Sequence, residues 1–225
     1  MYTFELPSGI EADLREMTGA EEEILTNPRL IRSGDAVNQV LANCVARLGE
    51  NKAPSVKDVL DLLSGDRLFL LVRLRQVSLG DEVSLELTCT NPSCRQMNPV
   101  LVNLEELEVT KYTAEREFKL TLPVAKRVVT FVHLDGHLEK RLAALKEPSI
   151  SSAMMMRIRE IDEKAPNKKV LSELTLKDRN ALREAMREAD AGIDTTIETE
   201  CEACGTKLRA RLEAEPAFLF PGVRF

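Results

Sequence analysis

DRLFLLVRLRQVSLGDEVSLELTC, residues 66–89, and DRNALREAMREADAGIDTTIETEC, residues 178–201, decide how this chain reads. Each opens on Asp-Arg, runs through an apolar-periodic helical stretch, turns at a glycine and alternates as a strand up to a cysteine. Cys89 follows Asp66 by 23 residues, and Cys201 follows Asp178 by 23. A second cysteine comes after each: Cys94 after four intervening residues, Cys204 after two. The chain is written twice, and each copy carries a cysteine pair.

The pattern extends outward from these stretches. Phe4-Glu5-Leu6-Pro7 leads into an alternating strand and then Thr18-Gly19; Leu120-Thr121-Leu122-Pro123 leads into another and then Asp135-Gly136. The offset between copies is 116–117 residues early and 112 later. Residues 1–110 read as one half and 115–225 as the other, with the charged segment Leu104–Glu117 between them. Units this long are not solenoid repeats, which need several short ones. The expected fold is α+β, with two homologous halves. Each half has a β-hairpin, helices and then a cysteine-bearing β-hairpin, and a zinc-ribbon-like site bridges the two.

Local signals place the elements. Pro7-Ser8-Gly9 turns the first hairpin, and Thr18 with Glu21 forms a capping box that starts a helix. Ser33 is read as the cap of a helix carrying Val37, Leu41, Cys44, Val45 and Leu48 to a stop at Gly49. Ser55 with Asp58 starts a short helix, and Ser64 is read as the cap of the helix Gly65–Leu79. In the second half, residues 118–134 form a hairpin and Asp135 caps a helix. Ser151 or Ser152 opens another through Ile161, and Thr175 with Asp178 caps the last long one.

Composition bounds the function. The 225 residues are 44% hydrophobic, enough for one large or two small cores. No stretch reaches the roughly 20 apolar residues of a membrane span. The start MYTFELPSGIEADL has neither a basic region nor an apolar run, so no signal peptide is expected and the chain is read as cytoplasmic. There, five cysteines point to metal before disulfides. A net charge of −6 argues against a general grip on nucleic acid, and 4% aromatics without tryptophan argue against stacking platforms.

Cys89, Cys94, Cys201 and Cys204 carry the strongest chemistry. A four-thiolate zinc site is commonly two tight turns, each presenting two sulfurs. Cys201-Glu-Ala-Cys204-Gly205 is such a turn, and Cys89-Thr-Asn-Pro-Ser-Cys94 is a longer version. With one turn from each half, zinc would staple the halves together, contributing on the order of 10 kcal/mol to folding. Two disulfides formed after release from the cell, or a redox-active pair, are the rivals. A redox pair should open a helix, whereas these pairs sit between strands.

Other groups take plainer readings. Cys44 lies on an apolar stripe and reads as a small buried hydrophobe. His133 and His137 flank Asp135-Gly136, one ending a strand and the other starting a helix, which is poor placement for a ligand pair. Met154-Met155-Met156 cannot share one helix face and reads as core with partial exposure. Asp66-Arg67 and Asp178-Arg179 read as a helix cap with a local ion pair. Lys207, Arg209 and Arg211 form a basic edge of the kind that guards a strand. The tail Ala217–Phe225 is apolar, and Phe218, Phe220 and Phe225 are candidates either for the chain's own core or for a partner.

Phe4-Glu-Leu-Pro-Ser-Gly9, Arg15-Glu-Met-Thr-Gly19, Leu63-Ser-Gly-Asp-Arg67, the two cysteine hairpins and Asp194-Thr195-Thr196 resemble the baseplate proteins of T-even-type contractile phages. The resemblance runs from Phe4 to about Pro221, and the Cys89–Cys94 turn departs from the two-residue spacing expected there. Members are described as baseplate hub assembly chaperones. The resemblance implies a non-enzymatic role in building a phage tail or a related contractile injection device, with hub or tail proteins as partners and no small-molecule substrate. It places the chain in the host or producer-cell cytoplasm or in the finished particle. A permanent structural baseplate component is the alternative. A zinc-ribbon regulator that binds nucleic acid and a thiol oxidoreductase are the other classes open to four cysteines.

Overall fold

Pro7-Ser8-Gly9 reverses the chain between Tyr2–Glu5 (β1) and Glu11–Leu14 (β2), so the first element is the hairpin the sequence predicts. The computed structural model describes residues 1–145, 147, 149–212 and 216–219. Thr18 and Glu21 make the reciprocal capping box that starts Gly19–Leu25 (α1), and Asn27 caps Pro28–Ser33 (α2). Ser33 is therefore the last residue of a helix and not a cap. Ala36–Cys44 (α3) follows Asp35, which makes no side-chain cap bond.

The largest departure from the sequence reading comes at Cys44. The expected helix to Gly49 breaks, and Val45–Leu48 (β3) pairs antiparallel with β2, completing the sheet β1-β2-β3. Val45 is β-branched, and its strand finds open hydrogen-bonding groups on β2 that a further helical turn would leave unused. Val56–Leu60 (α4) has the Ser55–Asp58 capping box. Ser64–Leu79 (α5) begins one residue earlier than expected, with Leu63 at the cap position and Ser64 inside the first turn. Glu82–Thr88 (β4) and Met97–Asn103 (β5) form the first cysteine hairpin.

Val109–Thr110 (β6) leads to a second series of elements, with two helices instead of three between its second and third strands and an added short strand before its last hairpin. Glu117–Thr121 (β7) and Val128–Val132 (β8) form a hairpin, and Asp135 caps Gly136–Ala143 (α6). Ser149 caps Ile150–Arg157 (α7), which passes directly into Ile158–Ile161 (β9), where the sequence suggested continuous helix. β9 completes the sheet β7-β8-β9. Lys168–Glu173 (α8), Leu176–Ala189 (α9), Gly192–Ile193 (β10), and the hairpin Thr196–Glu200 (β11) with Lys207–Arg211 (β12) follow, and Pro216–Leu219 (α10) ends the described chain.

Some local features recur in the two series. The register shifts between Asp13 and Leu14 in the first sheet and between Thr130 and Phe131 in the second. Each third strand continues a helix without a loop, at Cys44-Val45 and at Arg157-Ile158. The Asp-Arg pairs do the same work twice. Asp66 accepts the N–H of Ser8 (2.9 Å) in the first hairpin turn, and Asp178 accepts the N–H of Val124 (2.7 Å) in the second. Arg67 donates to the carbonyl of Val59 (3.2 Å) and the side chain of Asn38 (2.7 Å); Arg179 donates to the carbonyl of Leu171 (3.0 Å) and the hydroxyl of Ser151 (2.9 Å). In each series one dipeptide ties the long helix to the hairpin turn, the preceding helix and α3 or α7. The expected local ion pair is replaced by this tie, and Arg67 pairs instead with Glu139 (3.0 Å).

One core cluster gathers Leu6, Leu14, Leu25, Leu41, Leu70 and Leu74, together with Ile193, Leu212 and Leu219 from the far end of the chain. A second, of Leu122, Phe131, Met154, Ile161 and Leu182, draws only on the second series. Between the series, Ser64 donates to Leu134 (2.9 Å) and Gly136 to Leu62 (3.1 Å). The backbones also come close at Gly65 and Gly192. A Cβ on Gly65 would fall 2.0 Å from the Ala191 carbonyl oxygen, and one on Gly192, whose φ is +126°, would fall 2.7 Å from the Gly65 Cα. Among the described residues no helix is long and apolar enough to cross a membrane.

Candidate metal centre

Each cysteine hairpin ends in a turn closed by backbone bonds. Cys89 donates to the Gln96 carbonyl (2.8 Å), and Cys201 donates to the Thr206 carbonyl (2.9 Å). In the shorter turn Gly205 donates to Cys201 (2.8 Å) and takes the left-handed conformation at φ +68°. In the longer turn Arg95 occupies the equivalent place at φ +51°, while Cys94 and Arg95 both donate to the Asn91 carbonyl (3.0 and 3.1 Å). The Asn91 side chain accepts the N–H of Ser93 (3.0 Å), an Asx turn that absorbs the extra residues. The wider spacing thus ends in the same local geometry.

The four sulfurs converge. Cys89 and Cys204 lie 3.6 Å apart, Cys94 and Cys201 3.8 Å apart, and all four Sγ atoms fall within 4.8 Å of one another. Tetrahedral thiolates at about 2.3 Å from zinc are separated by about 3.8 Å, so the set has the size of a four-sulfur metal site. Both close pairs cross from one hairpin to the other. Cys89 and Cys201 are buried with Leu208 in a small cluster of their own, against which Leu87 and Cys94 pack, while Cys204 is exposed. That patch offers little apolar area to hold two hairpins together, and an ion shared by four sulfurs would do so. This group of four cysteines can bind a metal.

The surroundings set the thiols apart. The Thr206 hydroxyl (3.1 Å) and backbone N–H favour the Cys204 thiolate and hold it down to about 6. Burial works against the Cys201 thiolate, but the N–H groups of Ala203 and Cys204 outweigh it and its pKa falls. The Gln96 N–H favours the Cys94 thiolate, yet burial and the neighbouring sulfurs push it up to about 11. Burial raises Cys89. Without a cation, four sulfurs this close cannot all ionise at neutral pH, and a divalent ion reverses that balance.

Asn98 was missed by sequence reasoning. It is buried on β5, donates to the carbonyls of Leu87 (3.1 Å) and Gln96 (3.0 Å), and accepts the N–H of Glu202 (3.0 Å) in the opposite turn. One side chain therefore fastens the first hairpin to the second beside the sulfurs. The available signal was a polar residue on the row that also carries Val100 and Val102.

The remaining candidates do not join this centre. His133 is buried with its Nε2 3.3 Å from the Glu115 carbonyl, and His137 reaches Asp61 (2.8 Å). Cys44 is fully buried in the first core cluster, and burial pushes its thiol up to about 12. Met154 is core, with Met155 packed against it. Lys207 and Arg209 stand opposite Glu200 and Glu198 on β11, so the basic edge is largely offset by its own partner strand. Phe218 is half-buried against the first core cluster, and Phe220 and Phe225 lie outside the described residues.

Residues 1–218 match the family model described as T4 bacteriophage base plate protein. The chain belongs to this family. The match spans both series of elements and all four converging cysteines of this base plate protein, in agreement with the resemblance seen in its sequence. No curated protein and no solved structure matches it. Family membership gives the base plate protein a baseplate-related structural or assembly role, with other tail or baseplate proteins as its interaction partners.

Proposed function

We propose that this chain is a non-enzymatic assembly chaperone of the baseplate hub of a contractile phage tail or tail-like particle. In this reading residues 1–110 and 115–225 are two copies of one unit, stapled by a structural zinc on Cys89, Cys94, Cys201 and Cys204. The observation that carries the role is the family match over residues 1–218. The repeated Asp-Arg ties and the paired register shifts favour two copies. The sulfur separations of 3.6 and 3.8 Å favour zinc. The zinc would fix how the halves sit, and apolar elements such as Phe218, Phe220 and Phe225 would meet hub or tail proteins in the producer cell's cytoplasm.

Quantitative mass spectrometry of finished tail particles, set against the lysate that made them, tests the role. A chaperone is present in the lysate and absent from particles. A fixed stoichiometry in particles would instead make the chain a permanent baseplate component, the second reading that the family description supports. For the metal, Cys201→Ser should release zinc and lower the melting temperature; unchanged zinc content would remove the site.

A further inference from the structure

The first series is seated on the second at one end of its long helix. The tip that is seated is the start of α5 with the hairpin turn at Ser8, and the seat is the start of α6. Ser64 donates to the Leu134 carbonyl and Gly136 to the Leu62 carbonyl, with Leu63 and Asp135 paired antiparallel between them. A side chain on Gly136 would intrude, its Cβ falling 2.7 Å from the Arg67 guanidinium and 2.9 Å from the Leu60 Cα. Arg67 completes the contact through its Nε, which reaches Glu139, the fourth residue of α6.

A second tip and a second seat are present and unoccupied by each other. Leu176 opens α9 as Ser64 opens α5, and Val124 bonds to Asp178 as Ser8 bonds to Asp66. Gly19 opens α1, which follows β2 as α6 follows β8, and Glu22 is the fourth residue of that helix. Nothing lies within 4 Å of a Cβ on Gly19. Among the described residues, the N–H groups of Gly19 and Leu176, the carbonyls of Met17 and Leu174, and the Glu22 carboxylate have no protein partner. Arg179 repeats the bonds of Arg67 with Nη1 and Nη2, while its Nε, the atom Arg67 extends to Glu139, is left over among the described residues. Leu176 is 77% exposed and Val124 48%, an apolar pair of the kind that marks an interaction site. One position differs: Lys177 stands where Gly65 meets Gly192, so this tip sits less deeply than the first.

We propose that the tip of the second series, residues 174–179 with Val124, docks on residues 17–22 of a second copy of this chain. The contact that joins the series within one chain is then repeated between chains. The Leu176 N–H meets the Met17 carbonyl, the Gly19 N–H meets the Leu174 carbonyl, and the Arg179 Nε meets Glu22. A second copy is the occupant because this chain itself carries the matching seat, open at Gly19 and unpaired at Glu22. Each added copy leaves one tip and one seat exposed, so the contact is heterologous and extends into a row or closes into a ring. The proposal rests on reading the series as two copies of one unit, and it adds self-association to the assembly reading.

The test is sedimentation equilibrium of the full chain from about 1 μM to 1 mM, the range of weak contacts. Reductant keeps the exposed Cys204 from linking copies. Wild-type chains should grow beyond dimers as concentration rises. Gly19→Leu has room in its own fold, and Leu176→Asp puts an acid in the first turn of a helix, so both should melt as wild type does. Each should associate at least tenfold more weakly. Mixed one to one, they should form dimers at wild-type affinity and nothing larger, because each has lost a different half of the contact. A pairing of identical patches gains nothing from such mixing, so a mixture that stays monomeric overturns the proposal. An effect of Leu176→Asp without one of Gly19→Leu also overturns it, assigning the tip to residues 220–225 or to another tail protein. Wild-type chain that is monomeric throughout does the same. None of these results removes the assembly role, which particle composition tests separately.

Discussion

Replacing Asn98 by alanine should loosen the two hairpins without touching a sulfur. The side chain makes three bonds of 3.0–3.1 Å, two to carbonyls of its own hairpin and one from Glu202 across the gap. At about 1 kcal/mol net per bond, the loss is about 3 kcal/mol. Insofar as Asn98 holds the turns at the separation the thiolates need, that energy is about a hundredfold in metal affinity. Asn98→Asp should be worse at neutral pH: one oxygen can still accept from Glu202, but the other would face the carbonyls of Leu87 and Gln96, leaving acceptor against acceptor. Competition for zinc with a calibrated chelator, together with urea unfolding with and without metal, measures both quantities. Asn98→Ala protein that binds zinc within threefold of wild type and unfolds at the same urea concentration would refute this account of the clamp.

Thiol counting should separate the five cysteines: slow alkylation of all five with zinc bound, faster reaction of four after chelation with Cys204 and Cys201 ahead of Cys89 and Cys94, and Cys44 reacting only on unfolding, since burial pushes it up to about 12. Gly65→Ala should cost about 3 kcal/mol or more in denaturant unfolding, because the added methyl meets the Ala191 backbone at 2.0 Å and backbone must shift to admit it. The two tie aspartates should respond oppositely to pH. Burial raises Asp66, outweighing the Ser8 N–H, so its contribution worsens as pH climbs from 3.8 through the higher folded value. Asp66→Asn should therefore stabilise the chain more at pH 7 than at pH 4. Burial also works against Asp178, but the N–H groups of Val124 and Ala125 and the Thr175 hydroxyl win and lower it. Its stabilisation is complete above 3.8 and lost as pH falls through the folded value, so Asp178→Asn should destabilise at pH 7 and converge with wild type in acid. Glu21, held down to about 2 by Arg15 and by the N–H and hydroxyl of Thr18, contributes stability above 4.5 that disappears toward pH 2. Glu21→Gln should flatten that limb of an acid titration followed by circular dichroism.

The sequence was most legible where a signal is local. The capping boxes at Thr18 and Ser55, the caps at Asp135 and Thr175, and both cysteine hairpins are set by neighbours within a few residues, and the structure has them all. It was least legible where a distant strand decides. Val45-Ala-Arg-Leu48 and Ile158-Arg-Glu-Ile161 suit either a helix or a strand, and each becomes a strand because β2 or β8 offers it a ladder. The four sulfurs were found from spacing because thiolates in tight turns have few other uses. Asn98 escaped because its partner Glu202 lies 104 positions away. The Asp-Arg pairs were noticed as recurring, but their work runs through bonds to Ser8, Asn38, Val124 and Ser151, which no helix-cap rule anticipates.

Leu219 is fully buried in the cluster that also holds Leu6 and Leu14. On the ribosome, the hydrophobic interior begun by the first residues stays unfinished until Leu219 emerges, whereas among the described residues the interior that starts at Leu122 draws on nothing later than Ala189. The segment made first is the last to be sealed, and Cys204 arrives only shortly before the seal. A chain broken off early by nuclease or stalled translation would be left with its N-terminal portion open and its thiols incomplete, marking it for proteolysis before it could enter an assembly line.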